Sequence, residues 1–145
     1  MARAASKSKV RWRNRSPYGW WVASYILRFE FKNKTPTSQN ARCVAWENTI
    51  LVRAKNREIA YRKAIAFSKK SSPSRWTRHG NPPGRLARWV SEGLTSLLPI
   101  YEQIEDGSEI LWTEHRAVTL ASIRRRVKSK RALQIFDDSG GDNDT

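Results

Sequence analysis

From Trp20 to Phe31 the chain alternates between an apolar face and one that also carries polar residues. Trp21, Ala23, Tyr25, Leu27, Phe29 and Phe31 fall on one side, and Trp20, Val22, Ser24, Ile26, Arg28 and Glu30 on the other. A period of two sustained over this length predicts a β-strand. After the polar break Lys32 to Asn40, which contains Pro36, a second strand is predicted from Arg42 to Ala54, with Val44, Trp46, Ile50 and Val52 on one face. The two should pair as a hairpin. The period then changes. Asn56 can cap a helix from Arg57 to Lys70, in which Ala60, Ala64 and Phe67 beside Tyr61 and Ile65 form an apolar stripe, and Glu58 precedes Arg62 by one turn.

Ser71 to Gly84 is rich in Pro and Gly and carries Arg75, Arg78 and His79, which predicts a basic loop. A bent third strand is expected from Arg85 to Ile104, broken or bulged near Gly93, with Pro99 placing part of it at an edge. Asp106-Gly107 signals a turn, and Glu109 to Thr113 would return as a fourth strand in a second hairpin. Thr119 can cap a final helix to Phe136, with Leu120, Ile123, Val127, Leu133 and Phe136 toward the core. The predicted class is α+β with the order ββαββα: a four-stranded antiparallel sheet of two hairpins and two helices packed on one face.

Charge divides this pattern into regions. The chain has 28 Lys and Arg against 13 Asp and Glu, a formal +15 on 145 residues. Arg3, Lys7, Lys9, Arg11, Arg13 and Arg15 crowd the first residues with no acid among them, whereas Asp137, Asp138, Asp142 and Asp144 cluster at the other end. Both ends are poor in the apolar residues that would offset the entropy of ordering, so residues 1–17 and 137–145 read as disordered tails flanking a single domain at 18–136. The apolar run Trp20 to Leu27 is too short to cross a bilayer and no secretory pattern opens the chain. Cys43 stands alone, which excludes a disulfide framework and a thiol zinc knuckle. A soluble, cytoplasmic protein is expected.

Trp20-Trp21-Val22-Ala23-Ser24, Glu47-Asn48-Thr49-Ile50-Leu51-Val52 before a helix with Ala60-Tyr61-Arg62-Lys63-Ala64, and Leu97-Leu98-Pro99-Ile100-Tyr101 before Glu105-Asp106-Gly107-Ser108-Glu109-Ile110 succeed one another at characteristic spacings. Together they resemble a family of small bacterial proteins catalogued as domain of unknown function 4288, over about residues 19 to 136. The resemblance implies a bacterial α+β domain and carries over no catalytic residues. The basic tail and the Arg-rich final helix are outside that family's pattern.

A strong positive imbalance points to a polyanionic partner, with nucleic acid first. Three segments are candidates for contact: Arg11, Trp12, Arg13 and Arg15 in the tail; Arg75, Trp76 and Arg78 in the loop; and Arg124, Arg125, Arg126, Lys128, Lys130 and Arg131 on the final helix. Arginines and lysines would neutralise phosphates, and Trp12 and Trp76 would offer faces to unpaired bases. The other tryptophans, Trp20, Trp21, Trp46, Trp89 and Trp112, are expected on strands in the core. Against catalysis, His79 and His115 lack a thiol or second histidine at ligand spacing. The acids Glu102, Glu105, Asp106 and Glu109 cluster about the hairpin turn as a magnesium-dependent nuclease would need, but no Lys stands near a strand carboxylate there, and Asp106-Gly107 is accounted for as a turn. The expected function is therefore non-enzymatic, without cofactor or metal: nucleic-acid binding with little sequence preference. The alternative is a module that binds an acidic protein partner, as an immunity or inhibitor protein does, or that forms a homodimer through its hairpin edge.

Overall fold

A computed structural model of the chain describes residues 10–72, 75–80 and 84–140. The outer parts of both expected tails, 1–9 and 141–145, lie outside the described residues. The chain divides into two compact units, Met1–Trp112 and Thr113–Thr145.

In the first unit the alternating segment forms β1 (Trp20–Phe31), which pairs antiparallel with β2 (Val44–Arg53) along its length, from Trp20 opposite Arg53 to Phe29 opposite Val44. Helix α1 (Arg57–Ser71) follows, and the Asn56 side chain caps it by accepting the Ile59 amide at 2.9 Å. Next come a short strand β3 (Thr77–His79) and the long strand β4 (Arg85–Pro99). The sheet order is β2-β1-β4-β3, all antiparallel, so the α+β class and the ββαββα order hold.

The second hairpin is built from different residues than expected. Thr77–His79 pairs with Arg85–Ala87, inside the stretch read as a loop, whereas Glu109–Thr113 forms no strand. Pro99 ends β4, and side chains stitch the following segment into a loop. The Glu102 carboxylate accepts the Glu109 amide at 2.9 Å, and the Ser108 hydroxyl accepts the Glu105 amide at 2.7 Å. These bonds satisfy the polar groups that a strand would have placed in a ladder. The turn at Asp106-Gly107 is present, with Gly107 at φ +85° and Ser108 N–H bonded to Glu105 O. The expected irregularity near Gly93 is also present. The β1–β4 register shifts twice, between Ser24 and Tyr25 and between Ile26 and Leu27, and Gly93 sits at φ +141°.

The core lies where α1 covers the Trp21 end of the sheet: Trp21, Ala23, Val52 and Ala54 meet Ala60 and Ala64, with Ile50, Leu94 and Leu97 against them. Small residues at Ala60, Ala64 and Ser68 form the buried helix face, whereas Tyr61 and Phe67, expected in the stripe, are exposed. Toward the Phe31 end of the same face α1 stops, its C-cap Ser72 hydroxyl donating to Trp89 O. Trp46 and Trp89 stack there, ring centroids 4.8 Å apart, and Trp89 meets Phe29 at 5.0 Å. Of the five tryptophans expected in the core, Trp21 is 2% exposed, but Trp46 is 58% exposed and Trp112 lies off the sheet, also exposed.

Residues 10–17, expected to be tail, are seated on the first unit. A 3-10 turn spans Trp12–Asn14, the Tyr101 hydroxyl donates to Arg13 O, and the Ser16 hydroxyl lies 2.6 Å from Trp20 O and 3.0 Å from Ile100 O. These contacts supply the ordering energy that composition alone did not reveal.

In the second unit the expected long helix is reduced to α2 (Leu120–Arg126), capped by the Thr119 hydroxyl, and two isolated 3-10 turns, Lys130–Ala132 and Gln134–Phe136. Leu120, Ile123, Val127, Leu133 and Phe136, expected toward the core, are 42 to 77% exposed. Three successive arginines repel, Lys128 falls one turn after Arg124, and β-branched Val127 is a weak helix former, so an exposed apolar stripe does not sustain the helix.

Candidate functional site

The N-terminal segment, the start of α1 and the residues after β4 converge at the Trp21 end of the sheet. Gly19, at φ +79°, turns the chain into β1, and its carbonyl accepts the Ala54 amide at 2.8 Å, which brings the end of β2 beside the start of β1. Trp21 is fixed below by its indole N–H, which donates to Ala54 O at 2.9 Å. On the other flank, Ile100 N–H bonds to Trp20 O at 2.9 Å and positions Tyr101 under the Trp12–Asn14 turn. The rings of Trp12 and Tyr101 then lie 5.9 Å apart, inclined by 51°.

These elements enclose a cleft of about 700 Å³. Val10, Pro17, Trp12, Trp21 and Tyr101 supply apolar and aromatic walls, and Arg15, Lys55 and Arg57 supply cations. Trp12 is 76% exposed, an unusual position for so large a ring. Arg15 donates one guanidinium N–H to Val10 O, which leaves its other donors unengaged by that bond. Among the described residues, the ion pair Arg57 makes is a long one, 3.8 Å, with Glu58 on the exposed first turn of α1, an interaction of small value in water. The cleft can therefore take a flat apolar group on its walls and an anion at its cations.

The candidate residues are distributed as follows. Trp12 and Arg15 line the cleft, and Arg11 and Arg13, both exposed, belong to the same segment. Arg75, Trp76 and Arg78 sit at or beside β3, which pairs with the Ala87 end of β4, and Ala87 lies opposite Phe31. That is the far end of β1 from Trp21, about 33 Å away at about 3.3 Å per residue. The tail and the loop are thus two separate basic patches on this unit. Around the second, Arg85 stacks on Phe31 at 3.7 Å, Arg78 donates to Gly84 O at 3.2 Å, and Arg88 covers Trp76 at 4.2 Å. His79 is engaged by Thr77 Oγ1 at 2.8 Å and by the edge of Phe29 at 5.3 Å. Arg124, Arg125, Arg126, Lys128, Lys130 and Arg131 all belong to the second unit and are exposed, with Lys130 over the Phe136 ring at 5.1 Å.

Among the described residues, none of these candidate cations forms an ion pair with a carboxylate. The arginines that do are Arg28, Arg57, Arg88 and Arg116. Arg28 and Arg88 clasp the buried Glu30. Burial pushes that carboxyl up, but hydrogen bonds from Arg28 and Arg88 outweigh it and hold the group below the usual carboxylate range. Asp137 is also lowered, because the Ser139 hydroxyl and amide donate to it. No group of three or more His, Cys, Asp or Glu side chains among the described residues could hold a metal ion, and no described helix is long and apolar enough to cross a membrane.

Lys55, Arg57 and Tyr101 were not singled out from sequence. The available signal was local: Lys55 and Arg57 flank the N-cap Asn56, and Tyr101 directly follows the strand-ending Pro99-Ile100.

The family described as Domain of unknown function (DUF4288) matches residues 20–112, and the chain belongs to it. The match ends at Trp112, so the arginines of α2 lie outside it, as does the Trp12–Asn14 turn that closes the cleft. No curated protein and no solved structure matches the chain.

Proposed function

We propose that this member of the DUF4288 family is a non-enzymatic nucleic-acid-binding protein that works mainly through phosphate contacts and has little sequence preference. The observation that carries this reading is the set of cations without a carboxylate partner bordering exposed aromatic surface, most clearly Arg15 and Lys55 beside Trp12. Uncompensated cations on a chain of net charge +15 repel one another, and a polyanion relieves that repulsion while releasing its own counterions. Neutral aromatic faces next to them add a contact that favours bases over a merely acidic surface.

The test is a titration of labelled single-stranded DNA, single-stranded RNA and duplex DNA between about 50 and 200 mM salt. A protein that neutralises about six phosphates loses roughly a thousandfold in affinity over that range. A variant with Arg124→Glu, Arg125→Glu and Arg126→Glu measures how much of the slope α2 contributes. Salt-insensitive or absent binding overturns the proposal.

The second reading is self-association, favoured by one observation: β2 is an open edge with Val44 and Trp46 exposed on it. Antiparallel pairing of two copies about Ile50 would set Glu47 of each copy opposite Arg53 of the other. Sedimentation decides it: a dimer that Glu47→Lys dissociates supports this pairing, and a monomer at all concentrations rejects it.

A further inference from the structure

We infer that the cleft between the Trp12–Asn14 turn and the start of α1 seats one unpaired nucleobase together with a neighbouring phosphate, which makes the protein selective for single strands. This rests on the nucleic-acid reading above and adds a ligand class and a selectivity to it.

Size is the first argument. A space of about 700 Å³ falls within the range of sites that bury a small molecule, roughly 300 to 1,000 Å³, and suits one nucleotide unit. Chemistry is the second. Trp12 and Tyr101 accept a flat neutral ring, with the buried Trp21 beneath, and Arg15, Lys55 and Arg57 accept an anion beside it. A purely apolar ligand would leave those cations without purpose, and an acidic peptide would leave the aromatic walls unused. A heteroaromatic ring joined to a phosphate uses both.

Preparation is the third argument. Trp12 keeps 76% of its surface exposed, yet its turn is held by the hydrogen bond from Tyr101 to Arg13 O, by Arg15 on Val10 O, and by Ser16 on the Trp20 and Ile100 carbonyls. An exposed aromatic on a fixed support loses little freedom on binding, which is the condition under which stacking contributes most. A base within a duplex is already stacked and paired, so its faces are closed to Trp12. A single strand offers them freely. Every base has a π-face, so the site is tolerant of sequence, in agreement with binding led by phosphates.

The experiment uses the full chain with fluorescein-labelled oligo(dT), oligo(U) and a duplex of equal length, titrated at two salt concentrations, with wild type, Trp12→Ala, Trp12→Phe and a Lys55→Glu, Arg57→Glu double variant. Wild type is expected to bind both single strands more tightly than the duplex. Trp12→Ala should lose about ten- to a hundredfold on single strands with the salt slope unchanged, and Trp12→Phe should recover most of it. The double variant should lower the single-strand slope by about 0.7, the share of the one phosphate seated there. Circular dichroism checks that each variant is folded, and the double variant tests the cleft even if Trp12→Ala is not. If Trp12→Ala binds single strands like wild type, or the duplex binds as tightly with the same dependence on Trp12, the cleft is not a base seat, while salt-dependent nucleic-acid binding still stands. If no oligonucleotide binds, both proposals fall. If polyglutamate competes with the same dependence on Trp12, the ligand class is overturned.

Discussion

Glu30, buried on the central strand β1, accepts the Arg88 Nε–H at 2.7 Å across the β1–β4 ladder, and Arg28 on its own strand donates to its other oxygen. Three charged side chains thus stand on the sheet face that α1 does not cover. Arg28 also reaches Glu92 at 2.8 Å, and its hydrogen bonds, first to Glu30 and then to Glu92, raise the Arg28 pKa.

Replacing Glu30 by Gln leaves two arginines without their shared acceptor charge. Breaking a fully buried pair costs about 3–5 kcal/mol, but these arginine side chains are 24 and 29% exposed and can turn to water, so about 2 kcal/mol is expected. The pH dependence follows from the direction of the shift. The folded Glu30 pKa lies below its ordinary value of 4.5, so its contribution is fully present above that value and is lost as pH falls through the folded pKa. Chemical denaturation from neutral pH downward should show a loss of stability below about pH 4 that is smaller in Glu30→Gln. An unchanged acid limb would show that the clasp does not stabilise the fold.

Trp21 and Trp46 lie on the same sheet face but under different cover, and their substitution should separate accordingly. Trp21→Ala empties the core beneath α1 and leaves the Ala54 carbonyl without its indole donor, a loss of about 3–5 kcal/mol. Trp46→Ala removes an exposed ring whose main identified partner is Trp89, for about 0.5–1.5 kcal/mol beyond its small burial. Urea denaturation of both variants checks the difference, and equal losses would contradict the placement of the core.

That difference explains how far the fold could be read from the sequence. Alternation in Trp20–Phe31, the Asn56 cap and Gly93 are local signals, and each marked its element or its irregularity correctly. Which half of a sheet face lies under a helix depends on where α1 crosses, and no periodicity encodes that, so Trp46 looked as deserving of the core as Trp21. Thr77–His79 became a strand because β4 offered it an edge, which is a long-range fact. The cleft was half legible. Trp12 and Arg15 stood out by composition, but Lys55, Arg57 and Tyr101 join them only through the pairing of β1 with β2 and β4.

Gly93 supplies a test of the bulged region. Its φ of +141° is costly for any residue with a Cβ, although a Cβ there would meet no atom within 4 Å. Gly93→Ala should therefore destabilise by about 1–3 kcal/mol through backbone strain alone, with no steric rearrangement. A thermal melt at or above the wild-type midpoint would mean that β4 relaxes its bulge at no cost.

Trp76 was expected to stack on a base, but the guanidinium carbon of Arg88 lies 4.2 Å from its ring centre. That arginine is also fixed by Glu30, so Trp76 closes a chain from buried carboxylate to arginine to indole. With one face occupied and its surface half-buried, Trp76 is better placed to hold Arg88 than to receive a ligand. Trp76→Ala should cost about 0.5–2 kcal/mol from the lost cation–π contact and lower the melting midpoint by several degrees. Its affinity for single strands should stay within about twofold of wild type, in contrast to Trp12→Ala. A tenfold or greater loss of single-strand affinity in folded Trp76→Ala would restore the β3 patch as a stacking site and require Arg88 to swing away when a base arrives.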